Sequence, residues 1–337
     1  MSTATGRSET PAIAWSEDAD VPEGRYLLDR AGLLGPLMLL PAIIYIIGLV
    51  GIPLVLAVLY SFSNATVGDQ SINWVGLENF RTVVQNATFR MALKNTILFA
   101  FVSQIIVIIL ANILALVLSA EFRGKRLVRF LVMLPWTTPI ALAVLGWFWM
   151  LDNVASPIDA LMRMLHIIGP DTIFDPKARA PILDIPFGDR NVRWLSKPDL
   201  ARLAVLTVHV WRTLPLATVI LLAGMTAIPQ DVKDAAEIDG ASYWRQLIYV
   251  RLPLLAPIMA VAVLYGIVFT FTDFTVVYVL TRGGPVDSTQ VLATWAYFKG
   301  IQGSSLAQGA AIALFLLPIL VAAAIVMLRL ARRSETA

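Results

Sequence analysis

Six stretches of this chain are long and apolar enough to cross a lipid bilayer: residues 33–60, 93–118, 127–151, 203–228, 254–280 and 306–330. A spanning helix needs roughly 20 mostly apolar residues. Inside hydrocarbon every backbone N–H and C=O must find a partner within the protein, so each stretch is predicted to be helical. The whole chain is 58% hydrophobic and only 15% charged, where soluble domains carry about 45–50% and about 25%. An all-α membrane protein of about six transmembrane helices is therefore expected. Pro36, Pro41, Pro53, Pro135 and Pro139 predict kinks in the first and third stretches. The first stretch is too long for the core of a signal peptide and is expected to stay in the mature chain.

The net charge of +3 does not point to a nucleic-acid partner, because the basic residues cluster beside apolar runs, where they set topology. With the N-terminus inside, the inner side holds Arg7, Arg25 and Arg30, then Arg123, Lys125, Arg126 and Arg129. It also holds Lys233, Arg245 and Arg251, and finally Arg329, Arg332 and Arg333. The short outer loops hold only Arg81, Arg90, Arg282 and Lys299. This predicts cytoplasmic tails at 1–32 and 331–337, a transmembrane domain over 33–330, and a multi-pass cell-membrane location. The long connection 152–202 falls outside and the polar connection 229–253 falls inside.

In the long outer connection, "SPIDALMRML" reads as a helix with Ser156 as N-cap, Pro157 at its first position and Asp159 in its first turn. Ile158, Leu161, Met162 and Leu165 make an apolar stripe that can lie on the outer membrane surface. The following "GPDTIFDPKARAPILDIPFGDR" reads as an irregular loop. Two N-x-T triplets, at Asn64 and Asn86, are read as local turn chemistry rather than glycosylation sites.

Several chemistries are missing. No G-x-x-x-x-G-K-[ST] loop is present, so the chain is not expected to hydrolyse ATP. No H-E-x-x-H and no G-x-S-x-G occurs, and there is no cysteine for a disulfide or thiolate. No enzyme is read here, and no metal site. His166 and His209 are far apart in sequence. His209, in the outer part of the fourth stretch, reads as a packed neutral histidine, with a proton carrier as the alternative.

The segment "DAAEIDGASYWRQLIYVRLP" reads as helix, glycine turn, helix. Asp231 can cap the first helix and Asp234 favours its positive end. Ala235 and Ala236 keep one surface small, and Gly240 suits the left-handed residue that ends a helix. Ser242 can cap a second helix, in which Trp244, Leu247, Ile248 and Arg251 repeat at helical spacing. Pro253 then fits the first turn of the fifth span.

These residues resemble the loop that marks the membrane subunits of ABC importers: an acid and two alanines, three residues, Gly, nine residues, then Ile-x-Leu-Pro. Here they are Asp234, Ala235, Ala236, Gly240, Val250, Arg251, Leu252 and Pro253, with Asp for the commoner Glu and Val for Ile. "LPLATVILLAGMTAIPQDVKDAAEIDGA" and "FTDFTVVYVLTRGGPVDSTQVLATWAYFKG" resemble the sugar-uptake branch, of the maltose and glycerol-phosphate permease type. Arg282 departs from the small residue often found in that "LTxGGP" stretch. The resemblance covers about 33–330 and is strongest from Trp194 onward.

It implies the type I ABC importer permease fold, with 229–253 as a coupling loop. The partners it implies are a second permease, usually a different chain, two ABC ATPases, and a binding protein delivering a sugar from outside. ATP and Mg belong to those ATPases, and this chain binds no cofactor. Asp234, Ala235, Ala236, Gly240, Ala241, Ser242, Trp244 and Pro253 are the implied contacts with the ATPase. The outer stretch 169–196 and "RGGPVDST" are expected to meet the binding protein. A secondary transporter would instead show several intramembrane carboxylates and an internal repeat. A non-sugar cargo and a membrane scaffold are the remaining alternatives.

Two charges fall deep inside the spans: Arg212, about 13 Å deep in the fourth, and Asp273, about 10 Å deep in the fifth, at 1.5 Å per residue. Neither should face lipid. They can pair to fix packing, or line a wet path in which Asp273 accepts hydrogen bonds from sugar hydroxyls. Trp211, Phe271 and Tyr278 are the rings near enough in sequence to stack on a sugar. Trp147 and Trp149 read as an interfacial belt.

Overall fold

The computed structural model describes residues 31–152, 154–165, 167 and 192–335, which form an all-α chain apart from one isolated bridge, Ser63 to Trp74. Contacts divide the chain into two units, 1–55 and 56–337. The described part of the first is α1 (Ala31–Ile46), a π turn at Ile47–Gly51 and the start of α2 (Ile52–Ser61). Pro36 and Pro41 lie within α1 without ending it. The irregularity falls ahead of Pro53 instead, whose missing N–H and bulky ring disfavour the preceding α turn.

In the second unit, α4 (Ala87–Ser119) and α8 (Pro198–Ala227) run side by side in the same direction. Val107, Ala111 and Ala115 of α4 meet Leu221 and Met225 of α8, and Leu255 closes the cluster from α11 (Leu252–Phe271). Small residues permit the approach: a Cβ on Gly224 would overlap Ile258 and Leu255, and one on Gly266 would overlap the Gln104 amide. The far face of α11 buries Phe271 and Ile267 with Ala100, against Leu316, Ile319 and Leu320 of α15 (Leu316–Glu335).

The third span is broken rather than kinked. α5 (Lys125–Thr137) and α6 (Ile140–Met150) meet at 98° across Pro139. Their outer ends nevertheless pack at opposite ends of the α4–α8 pair. Arg129 donates to Leu118 O at 3.3 Å near the end of α4, while Val144 and Leu151 join Phe99, Ala204 and Val205. Counted as one bent span beside the five continuous ones, the pair brings the described residues to six helical stretches long and apolar enough to cross a membrane.

The fifth span differs from its expected limits at both ends. It starts at Tyr243, inside the polar segment, and stops at Phe271. Asp273 Oδ1 accepts the N–H groups of Thr275 at 3.0 Å and Val276 at 3.3 Å, so its side chain opens a separate helix, α12 (Thr275–Leu280). The sixth span is interrupted at Phe315, between α14 (Leu306–Leu314) and α15. Pro318 explains the interruption, since its ring clashes with the carbonyl four residues back, at Leu314.

At the Pro198 end a cap of short helices closes the bundle. α3 (Glu78–Gln85), α4, α13 (Leu292–Tyr297) and α14 share a cluster that includes Val83, Phe89, Trp295 and Ile312. Asn86 N-caps α4 by accepting the Thr88 N–H at 2.8 Å, which is turn chemistry for the second N-x-T triplet. Ser156 accepts the Asp159 N–H at 3.1 Å and caps α7 (Pro157–Met164). Asp159 itself is fully buried and accepts Val192 N–H and Trp194 Nε1–H, both at 2.7 Å. The stripe is divided: Ile158 and Met162 pack inward, while Leu161 and Leu165 are exposed. The predicted irregular loop after it, with His166, lies outside the described residues.

Candidate functional site

Between α8 and α11 the polar segment forms α9 (Gln230–Ile238), a turn and α10 (Tyr243–Gln246). Pro229, not Asp231, is the N-cap of α9; its fixed φ suits a helix entry, and Asp231 lies in the first turn beside the positive end. Asp234 Oδ1 accepts Gln230 Nε2 at 2.7 Å.

α9 ends in a Schellman turn. Gly240 N–H donates to Glu237 O and Ala241 N–H to Ala236 O, both at 3.0 Å. Gly240 has φ +73°, and nothing lies within 4 Å of where its Cβ would stand. Backbone conformation therefore demands the glycine, and no neighbour in this chain does.

Ser242 occupies the N-cap of α10 without a side-chain cap bond. A π turn, Leu247–Arg251, joins α10 to α11, because Pro253 has no N–H for Tyr249 O and crowds it. The helical stripe expected from Trp244 to Arg251 does not share one face: Leu247 is buried, while Trp244 and Ile248 are exposed. Ala236 is buried, but Ile238 (86% exposed), Trp244 (68%) and Tyr249 (76%) present large apolar side chains around the turn. Exposed apolar surface of this kind marks a surface that a partner or the membrane covers.

The second site joins α8 to the break after α11. Asp273 Oδ2 lies 2.9 Å from His209 Nδ1 and 3.3 Å from Arg212 Nη1. Its Oδ1 holds the two N–H groups that start α12. With four donors and a side chain only 6% exposed, the carboxylate is saturated within the chain. His209 Nε2 meets Thr270 Oγ1 at 2.8 Å, and that hydroxyl lies 2.7 Å from Gly266 O. A small cavity of about 20 Å³, roughly one water in size, lies against His209, Thr270, Asp273 and Thr96.

Arg212 is the exposed member, at 17%, and its guanidinium stacks 4.5 Å above the Phe269 ring. Phe269 in turn meets Trp136 at 5.7 Å and Tyr265 at 5.8 Å. The sequence reading missed this aromatic wall, although the four-residue spacing of Tyr265 and Phe269 places them on one helix face. His209 was equally legible, three residues before Arg212 on one face.

The rings expected near the charges are elsewhere. Phe271, two residues from Phe269, points to the opposite side of α11 and is 2% exposed, so it offers no stacking face. Trp211 packs edge-on to Trp147 at 5.7 Å. Tyr278 belongs to another cluster, stacked on Phe274 at 4.7 Å and beside Tyr297 at 5.5 Å. Trp149 is exposed, whereas Trp147 packs on the core.

The "LTRGGPVDST" loop is tied to α4 and to itself. Asn95 Nδ2 donates to Ser288 O and Gln290 O at 2.8 and 3.0 Å, and Thr281 and Thr289 hydroxyls lie 2.7 Å apart. Arg282 takes φ +51°, a conformation that glycine would enter at less cost. A Cβ on Gly283 would overlap the Gln290 amide.

Residues 113–336 match the family described as binding-protein-dependent transport system inner membrane component. The trehalose/maltose transport system permease protein MalF of Thermococcus litoralis is 30% identical over 80% of this chain and 83% of its own length. The diacetylchitobiose uptake system permease protein DasB of Streptomyces coelicolor is 28% identical over 91% of this chain and 89% of its own. Among solved structures, a bacterial alginate ABC transporter in complex with an alginate pentasaccharide-bound periplasmic protein superimposes with a TM-score of 0.73. That match has 20% identity and covers 91% of this chain and 96% of the other.

Proposed function

We propose, from the premise that the chain belongs to the family of binding-protein-dependent transport system inner membrane components, that it is a permease subunit importing a sugar or oligosaccharide. The observation that carries the coupling half of this reading is the exposed Gly240 turn, built by the backbone yet unobstructed within the chain. Support for the cargo comes from relatives named for trehalose, maltose, diacetylchitobiose and maltodextrin.

In this reading 229–253 faces the cytoplasm, as do both termini, and the turn docks in a groove on one of two ATPase subunits. Asp234, Ala235, Ala236, Gly240, Ala241, Ser242 and Trp244 make or support that contact, and Pro253 sets where the segment becomes the span. ATP and Mg bind to the ATPases, and this chain catalyses nothing. When the ATPases close, the turn moves with them and α11 tilts as one body with α10, because the two are continuous through the π turn. A second permease subunit completes the path.

Arg212 and the Trp136, Tyr265 and Phe269 wall are the groups best placed to meet cargo. A cationic donor fork and ring faces match hydroxyls and the apolar faces of a sugar ring. Asp273 orients Arg212. Trp211 and Tyr278 flank the path at a second remove. The "RGGPVDST" loop and 169–196 meet the binding protein outside. Stimulation of ATP hydrolysis in the purified complex, screened over disaccharides, oligosaccharides, polyamines and phosphate esters, tests this reading. Stimulation by a saccharide-loaded binding protein is expected; a response to polyamines or phosphate esters alone would exclude a sugar cargo.

A further inference from the structure

A second polar feature of the second unit lies at the Pro198 end of the α4–α8 pair, opposite the Gly240 turn. There a groove of about 430 Å³ is lined by Arg90, Met91, Lys94, Asn95, Leu98 and Arg202. Neither the Arg90 nor the Lys94 side chain has a hydrogen bond or ion pair among the described residues, and both residues are exposed. Arg202 is held in place, donating from Nε to Ser288 O and from Nη1 to Asp199, both at 2.9 Å. The nearby acids are engaged, Asp199 with Arg202 and Asp287 with the Thr88 hydroxyl at 3.0 Å.

The depth of this groove fixes the kind of anion. α4 has 33 residues, about 50 Å at 1.5 Å per residue, against a hydrocarbon core of about 30 Å. Arg90 and Lys94 are the only charged residues of α4. The uncharged remainder, 95–119, is about 37 Å long at 1.5 Å per residue and fills the core by itself. The two cations therefore stand at headgroup level, where the positive end of the helix adds to their charge. Below them the exposed face of α4 continues apolar through Leu98, Phe101 and Ile105. A charged head above an unbroken apolar strip is the outline of a lipid.

We propose that this groove binds the phosphodiester of an anionic phospholipid, with an acyl chain along Leu98, Phe101 and Ile105. Arg90 and Lys94 supply the unpaired charge and Arg202 a fixed donor fork. The site is independent of the cargo and rests only on the chain's membrane placement.

The test uses the assembled transporter in vesicles of phosphatidylglycerol and phosphatidylcholine, with retained lipid counted by native mass spectrometry. Selective retention of phosphatidylglycerol is expected. Arg90→Gln and Lys94→Gln should each weaken it about fivefold, the effect of roughly one basic side chain at a headgroup surface. The swap Arg90→Lys with Lys94→Arg keeps both charges and should keep the lipid, which separates charge from misfolding. Equal retention of phosphatidylcholine, or retention unchanged in the double Gln variant, would overturn the proposal. So would displacement of the lipid by soluble glycerol phosphate, which would assign the groove to a soluble anion. A groove covered by another protein subunit would show as no lipid preference at all.

Discussion

Asp273 Oδ2 sits 2.9 Å from His209 Nδ1, both side chains almost wholly buried, so the fourth span is tied to the end of the fifth through one carboxylate. The same carboxylate starts α12 and holds Arg212. Asp273→Asn keeps the shape and strands two donors. Breaking a buried pair costs up to roughly 3–5 kcal/mol, so assembly yield and thermal stability should fall. Cargo selectivity in the surviving complex should be unchanged; a change in selectivity would make Asp273 a direct cargo ligand.

Arg212→Lys retains the charge but loses the flat stack on Phe269, worth about 0.5–2 kcal/mol. Half-saturation of cargo-stimulated ATP hydrolysis should rise by up to about thirtyfold, with stability little altered. Trp136→Ala should move the same parameter in the same direction. If both variants leave it untouched, the aromatic wall is packing and the path runs elsewhere.

Gly240→Ala and Gly240→Glu separate backbone from docking. Either side chain meets open space within the chain, while the left-handed conformation costs roughly 1–2 kcal/mol. Both should insert normally; Ala should reduce transport and Glu should abolish it, because only Glu adds bulk and charge to the proposed docking face. Full uptake by the Glu variant would mean that the turn is not the contact.

Asp159→Ala should loosen the connection between α6 and α8. It strands the Val192 N–H and the Trp194 indole, at about 1–3 kcal/mol for the buried donors. Faster hydrogen exchange at Val192 and a red-shifted Trp194 emission are expected, with the Gly240 turn unaffected. Unchanged exchange would place the anchor of that connection elsewhere.

Much of this was legible in the sequence, and the failures share a cause. Span number and the Gly240 turn follow from local rules, apolar length and one left-handed residue. The break at Asp273 depends on a side chain competing for backbone N–H groups, which apolar length does not register. Proline marked the third span, but a 98° bend rather than a kink depends on what α6 packs against. Arg212 and Asp273 were found because charge in a span is costly. Phe271 was misplaced because nearness in sequence was used where helix phase decides: two residues turn a side chain to the other face.

The central claim is binding-protein-dependent, ATP-driven sugar import through this chain, and uptake in proteoliposomes measures it directly. With both permease subunits, the ATPases, ATP inside and loaded binding protein outside, labelled oligosaccharide should accumulate. It should stop when ATP, the binding protein or the Gly240 turn is removed. Accumulation driven by a proton or sodium gradient without the ATPases would contradict the account.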